Sequence, residues 1–168
     1  PRGGGTGMGG NAIGSGVVID LSRYMTRVTA VDTSAATASA EAGVVLTALQ
    51  KHVRDASDGA LTFAPDPSSQ SRACLGGAIG NDACGNHSVR YGRTTDHVVD
   101  VTVVTAEGHL LVATSSGLHA ADLHGQAPTS ATGSGVARCS PWAAPSPSRR
   151  TSSSWTATHT CTIRSGSP

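Results

Sequence analysis

Five of the eight residues from Arg2 to Gly9 are glycine, and the full run is Arg2-Gly3-Gly4-Gly5-Thr6-Gly7-Met8-Gly9-Gly10. Consecutive glycines let backbone N–H groups converge on an anion with no side chains in the way. Arg2 and Thr6 can add a charge and a hydroxyl donor. The plainer alternative is a tight turn with no ligand, but the glycine density beside Arg and Thr makes phosphate binding the better reading. Gly5, Gly7 and Gly10 also fit G-x-G-x-x-G. The dinucleotide version of that motif must open a helix whose N-terminus meets the pyrophosphate. Here the loop leads through Asn11-Ala12-Ile13-Gly14-Ser15-Gly16 into Val17-Val18-Ile19, an apolar run that reads as a buried strand. Asp32 stands near the distance of a ribose-binding acid, a spacing that means little without the helix. No Gly-Lys-Ser/Thr follows, so the loop is not a P-loop.

A second glycine-rich segment runs Leu75-Gly76-Gly77-Ala78-Ile79-Gly80-Asn81-Asp82-Ala83-Cys84-Gly85-Asn86. Gly76 and Gly77 permit close backbone approach. A short helix starting there would turn its N-terminus toward a phosphate or a ligand carbonyl. Asn81 is a poor helix residue, so a turn or two is expected. Cys84 and His87 form a C-x-x-H pair. Zinc would need two more placed ligands, none stands out, and both are read as loop residues with no metal.

The elements that must position these loops follow from periodicity. Residues 26–32 and 37–42 read as strands joined by the turn-forming Asp32-Thr33-Ser34. Residues 44–56 predict the best helix in the chain. Val45, Ala48, Leu49, His52, Val53 and Ala56 recur on one face, and Gly59 ends it. On that face His52 is expected to be packed rather than a ligand or base. Pro65-Asp66-Pro67-Ser68-Ser69 is a rigid loop. Residues 98–106 and 109–114, with Glu107-Gly108 between them, predict a β-hairpin.

Composition sets the outer limits. The 168 residues carry a net charge of +1, with no basic stripe for nucleic acid. No apolar run is long enough to span a bilayer, and no signal peptide is visible. The chain opens on Pro1, so its true N-terminus is expected to be missing. The four cysteines do not space as a disulfide framework. From Leu118 onward, Ser, Thr, Ala and Pro dominate, and Asp122 is the only acid. This stretch is expected to be disordered, because it offers little apolar surface to offset ordering. A flexible linker is the ordinary reading. The abrupt loss of pattern, with isolated Cys139, Trp142, Trp155 and Cys161, suggests instead an out-of-frame translation.

Taken together, the two loops resemble one family. Pro1 to Ile13 looks like the pyrophosphate loop of the FAD-linked oxidases, the family of vanillyl-alcohol oxidase and p-cresol methylhydroxylase. Pro65-Asp66-Pro67-Ser68-Ser69, Leu75-Gly76-Gly77, Tyr91-Gly92 and Thr95-Asp96-His97-Val98-Val99 resemble that family's second flavin-contacting stretch. The likeness covers roughly residues 1–114. Ile79 to Gly85 with His87-Ser88 looks nearest to the bacterial branch that oxidises D-2-hydroxy acids, namely the D-lactate, glycolate and D-2-hydroxyglutarate dehydrogenases.

The resemblance implies an α+β fold, an incomplete two-subdomain FAD-binding domain of the p-cresol methylhydroxylase type. Residues 1–64 would be the first subdomain, lacking its start, 65–117 the beginning of the second, and 118–168 the disordered tail. Arg2, Gly3, Gly4, Gly5, Thr6, Gly7, Met8, Gly9 and Gly10 would wrap the pyrophosphate. Pro65, Asp66, Ser68, Gly76, Gly77, Ile79, Gly80 and Gly85 would lie along the flavin, with Val98 or Val99 near the adenine. Relatives that attach FAD covalently carry histidine where this chain has Thr6, which implies non-covalent FAD. The implied chemistry is hydride transfer from the Cα of a small 2-hydroxy acid to flavin, with a base taking the hydroxyl proton. The family's catalytic residues lie in a C-terminal substrate domain, so none carries over, and loop residue His87 is a weak choice for the base. Some members are fused to an iron–sulfur module, so a cluster belongs at most to the parent protein and not to this chain. The electron acceptor stays open, and a cytoplasmic location, peripheral to a membrane at most, is expected. Two alternatives stand beside this: an FAD-dependent reductase of the same fold, such as the cell-wall precursor reductase, and a non-catalytic glycine-rich binding domain.

Overall fold

The computed structural model describes residues 1–105, 108–114, 117–120 and 158–164. Its elements are β1 (Val28–Asp32), β2 (Thr37–Glu41), α1 (Leu46–Ala56), α2 (Leu75–Gly80), α3 (Ser88–Tyr91), a 3-10 turn (Thr94–His97), β3 (Val98–Val104), β4 (Leu110–Thr114), β5 (Gly117–Ala120) and β6 (Thr158–Arg164). The strands form one sheet in the order β1-β2-β6-β3-β4-β5, with every neighbouring pair antiparallel. This is the expected α+β class. Strands from both sides of residue 64 share the sheet, so the sheet itself does not divide at the boundary expected between two subdomains.

The two expected hairpins form. The β1–β2 turn is closed by Asp32, whose Oδ1 accepts from the Ser34 hydroxyl (2.6 Å) and from the Ser34 and Ala35 N–H groups (2.9 Å each). Its carboxylate is spent on a turn, so it is no ribose ligand. At the other end of the hairpin, buried Glu41 accepts from the Arg27 backbone N–H at 2.9 Å and from the guanidinium at 2.7 and 3.1 Å. The Glu41 carboxylate also raises the Arg27 pKa, through hydrogen bonding and then charge.

Helix α1 starts two residues after the expected position 44, with Val45 extended (φ −71°, ψ 136°). The buried face is Leu46, Leu49, Gln50 and Val53, at i, i+3, i+4 and i+7. His52 is exposed rather than packed. Gly59 closes the helix at φ +84°, its N–H donating to the Arg54 carbonyl at 2.9 Å. Leu46, Leu49 and Val53 join Ala38, Ala40, Phe63, Leu75, Ala78, Val101 and Ile163 in one core. That core links the sheet to both α1 and α2, and α2 carries the second glycine segment.

The expected strand at Val17–Ile19 is overturned. Val17, Val18 and Ile19 form no strand and are 93%, 47% and 49% exposed. An apolar run is buried only where a partner covers it. Here the described residues supply one parallel bridge, between Arg2 and Asp20, with Arg2 N–H to the Ile19 carbonyl and Leu21 N–H to the Arg2 carbonyl. Within residues 118–168, the described segments Leu118–Ala120 and Thr158–Arg164 are strand. β6 lies between β2 and β3, pairing Ile163 with both Ala38 and Val98. Three β-branched threonines and an isoleucine suit that central position. The remainder of the expected tail, with Trp142, Trp155 and Cys139, lies outside the described residues.

Candidate functional site

The two glycine segments meet. Thr6, Gly7, Met8, Gly9 and Asn11 from the first loop line one cleft with Ser69, Ala73, Gly77, Ala78, Asn81 and Ala83, and its volume is about 340 Å³. The cleft is built in three steps. Bridging bonds between Arg2 and Ile19–Leu21 anchor the start of the first loop. Gly3 and Gly4 then pass directly over residues 72–74. A Cβ on Gly3 would sit 2.9 Å from the Cys74 Cβ, and one on Gly4 would overlap the Arg72 carbonyl oxygen. Only glycine lets the strand of backbone run this close, and beyond it the loop lifts away over α2. Burial pushes the Cys74 thiol up from its ordinary pKa, so it stays protonated beneath the loop.

Much of the loop's hydrogen-bonding capacity is uncommitted. Among the described residues, no backbone carbonyl accepts from the N–H groups of Gly5, Thr6, Gly7, Met8, Gly9 or Gly10. The side chains of Thr6, Asn11, Ser69 and Asn81 bring further donors, none bonded to another described residue. Across the cleft, a Cβ on Gly77 would meet nothing within 4 Å, and one on Gly7 only the Asn81 Nδ2 at 3.7 Å. This is a polar, uncharged cradle whose donors suit a pyrophosphate or a heteroaromatic ring bearing carbonyls. A flavin dinucleotide offers both groups, so the residues present fit it.

The other predicted site residues are placed as follows. Gly5 and Gly10 adopt φ of +67° and +80° in the same loop without lining the cleft. Arg2 turns away, its guanidinium 3.4 Å from Asp20, so the expected charge is directed at that carboxylate instead. Hydrogen bonds from the Ser22 hydroxyl and backbone, and then Arg2, hold the Asp20 carboxyl below its usual range. The N-terminus of α2 is also not the anion site expected, because the Leu75 and Gly76 N–H groups donate to the Val44 and Ala42 carbonyls at 2.8 Å. Ile79 and Val98 pack against the core. Val99 lies beside Val98 in β3, and Gly80 ends α2. Pro65 is fully buried and Ser68 is exposed, while its neighbour Ser69 lines the cleft.

Asp66 and Gly85 form a separate junction. A Cβ on Gly85 would overlap the Asp66 backbone carbonyl. The Asp66 carboxylate accepts from the His87 N–H at 3.1 Å and pairs with the His87 Nδ1 at 2.5 Å. Partial burial pushes this carboxyl up, but the His87 bonds outweigh it and hold it below the carboxylate range. On the far side of the loop, Asp82 binds Arg93 Nε (2.5 Å) and the Thr95 hydroxyl (2.8 Å) and N–H (3.1 Å). Its pKa too ends low despite burial, through Thr95 and then Arg93. Two carboxylates therefore clamp residues 82–87 from both ends. Asn11, Ser69, Ala73, Ala78, Asn81 and Ala83 line the cleft without having been predicted site residues. Ala78, Asn81 and Ala83 sit within the glycine segment already singled out, Asn11 directly follows the first loop and Ser69 follows Ser68, while Ala73 carries no signal of its own.

An α+β domain with a glycine cradle of this kind defines a protein that holds a phosphate-bearing dinucleotide cofactor away from any Rossmann helix. The chain belongs to the FAD binding domain family, whose model matches residues 1–114. It is 40% identical over 111 residues to the D-2-hydroxyglutarate dehydrogenase of Escherichia coli (strain K12), a match covering 66% of this chain and 11% of that protein. It is 31% identical over 112 residues to the glycolate oxidase subunit GlcD of Bacillus subtilis (strain 168), covering 66% and 23%. The D-lactate dehydrogenase of Anaerostipes hadrus is 34% identical over 113 residues, again 66% and 23%. The chain thus spans between about a tenth and a quarter of the length of these curated relatives. Among solved structures, an alkyldihydroxyacetonephosphate synthase shares the fold, with a TM-score of 0.56 at 18% identity over 86% of this chain and 22% of that one. No helix of the described residues is long and apolar enough to cross a membrane.

Proposed function

We propose that this chain is the FAD-holding part of a flavin-dependent oxidoreductase that oxidises a D-2-hydroxy acid such as lactate or glycolate. The observation that carries it is that Thr6 to Gly9, within a loop whose N–H groups from Gly5 to Gly10 donate to no described backbone carbonyl, share one cleft with Gly77. Matches to D-2-hydroxyglutarate, glycolate and D-lactate enzymes support the substrate class. Bound flavin would supply the redox chemistry, and the protein's part is to bind and orient it. Residues 5–10 would hold the pyrophosphate by backbone donors, while Gly77 and Asn81 would border the ring system. Binding is non-covalent, because Thr6 stands where covalently linked relatives carry histidine and a threonine hydroxyl offers no comparable nucleophile. The substrate and its catalytic base belong to the longer enzyme, as does any iron–sulfur cluster, and the electron acceptor stays open.

The test is in two parts. Refolded chain titrated with FAD should quench flavin fluorescence saturably, and acid precipitation should release all the yellow colour to the supernatant. Flavin left in the pellet would overturn the non-covalent reading, and no binding would favour a glycine-rich domain without a cofactor. The longer enzyme, assayed with D-lactate, glycolate and D-2-hydroxyglutarate against a dye acceptor, should reduce the dye with one of the three. Inertness toward all three, with activity in the reductive direction, would favour the reductase reading.

A further inference from the structure

A second cleft, sharing no residue with the first, lies between α1, the segment after it and α3. Its volume is about 400 Å³, and it is lined by Gln50, Arg54, Thr62, Phe63, Ala64, Asp66, Gln70, His87 and Tyr91. Most of its polar groups are uncommitted. Among the described residues Arg54 has no ion pair, and the Tyr91 hydroxyl and Gln70 amide have no hydrogen bond. His87 uses Nδ1 on Asp66, which leaves Nε2 uncommitted. The Thr62 hydroxyl is buried with no partner among the described residues, an unusual state for a polar group and one that a bound ligand or water relieves.

The free donors favour an anion. Asp66, the one acid in the lining, is held by His87, while Arg54 has no ion pair among the described residues. Guanidinium matches carboxylate geometry through paired N–H donors. Ala64 and the Tyr91 ring give the cleft apolar wall, which suits a ligand with a carbon body better than a bare inorganic ion. The Tyr91 ring is itself held by Arg90, whose guanidinium carbon lies 5.1 Å from the ring centroid.

We propose that this cleft binds a small organic carboxylate, with Arg54 holding the carboxylate and Tyr91 flanking its body. The site is independent of the flavin cleft and stands whether or not the chain binds FAD.

Benzoate is a suitable probe, with benzamide as its neutral counterpart and inorganic phosphate as the bare anion. Titrated into the isotope-labelled full chain, benzoate should move the backbone amide resonances of Thr62, Ala64, His87 and Tyr91, leaving Gly5 to Gly9 in place. Benzamide should bind at least tenfold more weakly. Arg54 is exposed, so Arg54→Gln should fold and should weaken benzoate about tenfold or more, the loss expected for one charged hydrogen-bonding partner. Tyr91→Phe should weaken it less. Equal binding of benzoate and benzamide, or no effect of Arg54→Gln, would overturn the proposal. So would displacement by phosphate at equal concentration, or competition between benzoate and FAD.

Discussion

The Asp66 carboxylate takes hold of His87 twice, through its backbone N–H at 3.1 Å and its ring Nδ1 at 2.5 Å. The two residues lie in different segments, so this one side chain ties the Pro65–Ser69 loop to the loop leaving α2. Both segments reach the glycine-lined cleft through their neighbours, Ser69 and Ala83. Asp82 clamps the other end of the same loop.

The pH dependence follows from the sign of the shifts. Asp66 and Asp82 both lie below the ordinary value of 3.8 in the folded protein. A carboxyl with a depressed folded pKa adds stability that is present above its unfolded value and lost as pH falls through the folded one. Urea midpoints should therefore be flat near neutrality and fall progressively below about pH 4. Asp66→Asn combined with Asp82→Asn should lower the plateau and flatten the acid limb. An acid limb as steep in the double variant as in the parent chain would show that other carboxylates set it.

Glycines that look alike in the sequence should answer differently to alanine. At Gly4 and Gly85 a methyl group meets backbone carbonyls of Arg72 and Asp66, which cannot move cheaply. Gly4→Ala and Gly85→Ala should each cost about 1–3 kcal/mol of stability, the range for overpacking. At Gly77 the methyl meets nothing within 4 Å, and alanine is the better helix residue. Gly77→Ala should therefore leave the melting temperature level or higher while weakening FAD about tenfold, or ~1.4 kcal/mol. Thermal melts with and without FAD separate the two effects. A destabilised Gly77→Ala with unchanged flavin affinity would remove Gly77 from the cofactor site.

What was readable in the sequence was local and periodic. The β-branched runs of residues 28–31 and 98–104, the alternation in 37–42 and the 3.6-residue spacing in α1 each produced its element. The meeting of the two glycine segments was legible only by resemblance, since nothing within Gly3–Gly10 specifies residues 72–83 as its neighbour. Two failures share one cause. Val17–Ile19 was read as buried from its apolar run and His52 as packed from the helical spacing, each from local pattern alone. Their surroundings decide otherwise: among the described residues no strand covers Val17–Ile19, and the core meets the α1 face of Leu46, Leu49, Gln50 and Val53. In β6 the signal was present, as Thr158, Thr160 and Thr162 alternating with His159, Cys161 and Ile163. The Ser- and Pro-rich composition before it masked a seven-residue strand pattern.

Gln50 has an outsized role for a single amide. It is buried in α1, and its Nε2 donates to the Phe63 carbonyl at 3.1 Å and the Pro65 carbonyl at 3.2 Å. Proline at 65 and 67 removes backbone donors from this loop, so a side chain has to satisfy and fix the carbonyls. Gln50→Leu keeps the volume but leaves two buried acceptors unpaired, at a cost of about 1–3 kcal/mol. The amides of Asp66 and His87 should then exchange faster with solvent, which hydrogen exchange would register. Unchanged exchange at both would mean that the prolines alone hold the loop.

The last prediction concerns β6, where one side chain decides whether the two hairpins belong to one sheet. Ile163 is fully buried and is paired with Ala38 of β2 on one side and Val98 of β3 on the other. Ser39 and Thr162 add a hydroxyl contact of 3.1 Å across the same seam. Both alanines of β2 are small, so the isoleucine fills space that no neighbour can reach. Ile163→Ala should cost about 2–5 kcal/mol, the range for a buried aliphatic truncation, whereas Arg164→Ala at the exposed end should stay within about 0.5 kcal/mol. Loss of β6 pairing would also bare the inner edges of β2 and β3, and unpaired edges template association. Ile163→Asp should therefore shift the chain to larger species in sizing chromatography. If Ile163→Ala and Ile163→Asp both unfold like the parent and run at its size, β6 does not join the hairpins in solution, and β2 and β3 have another partner there.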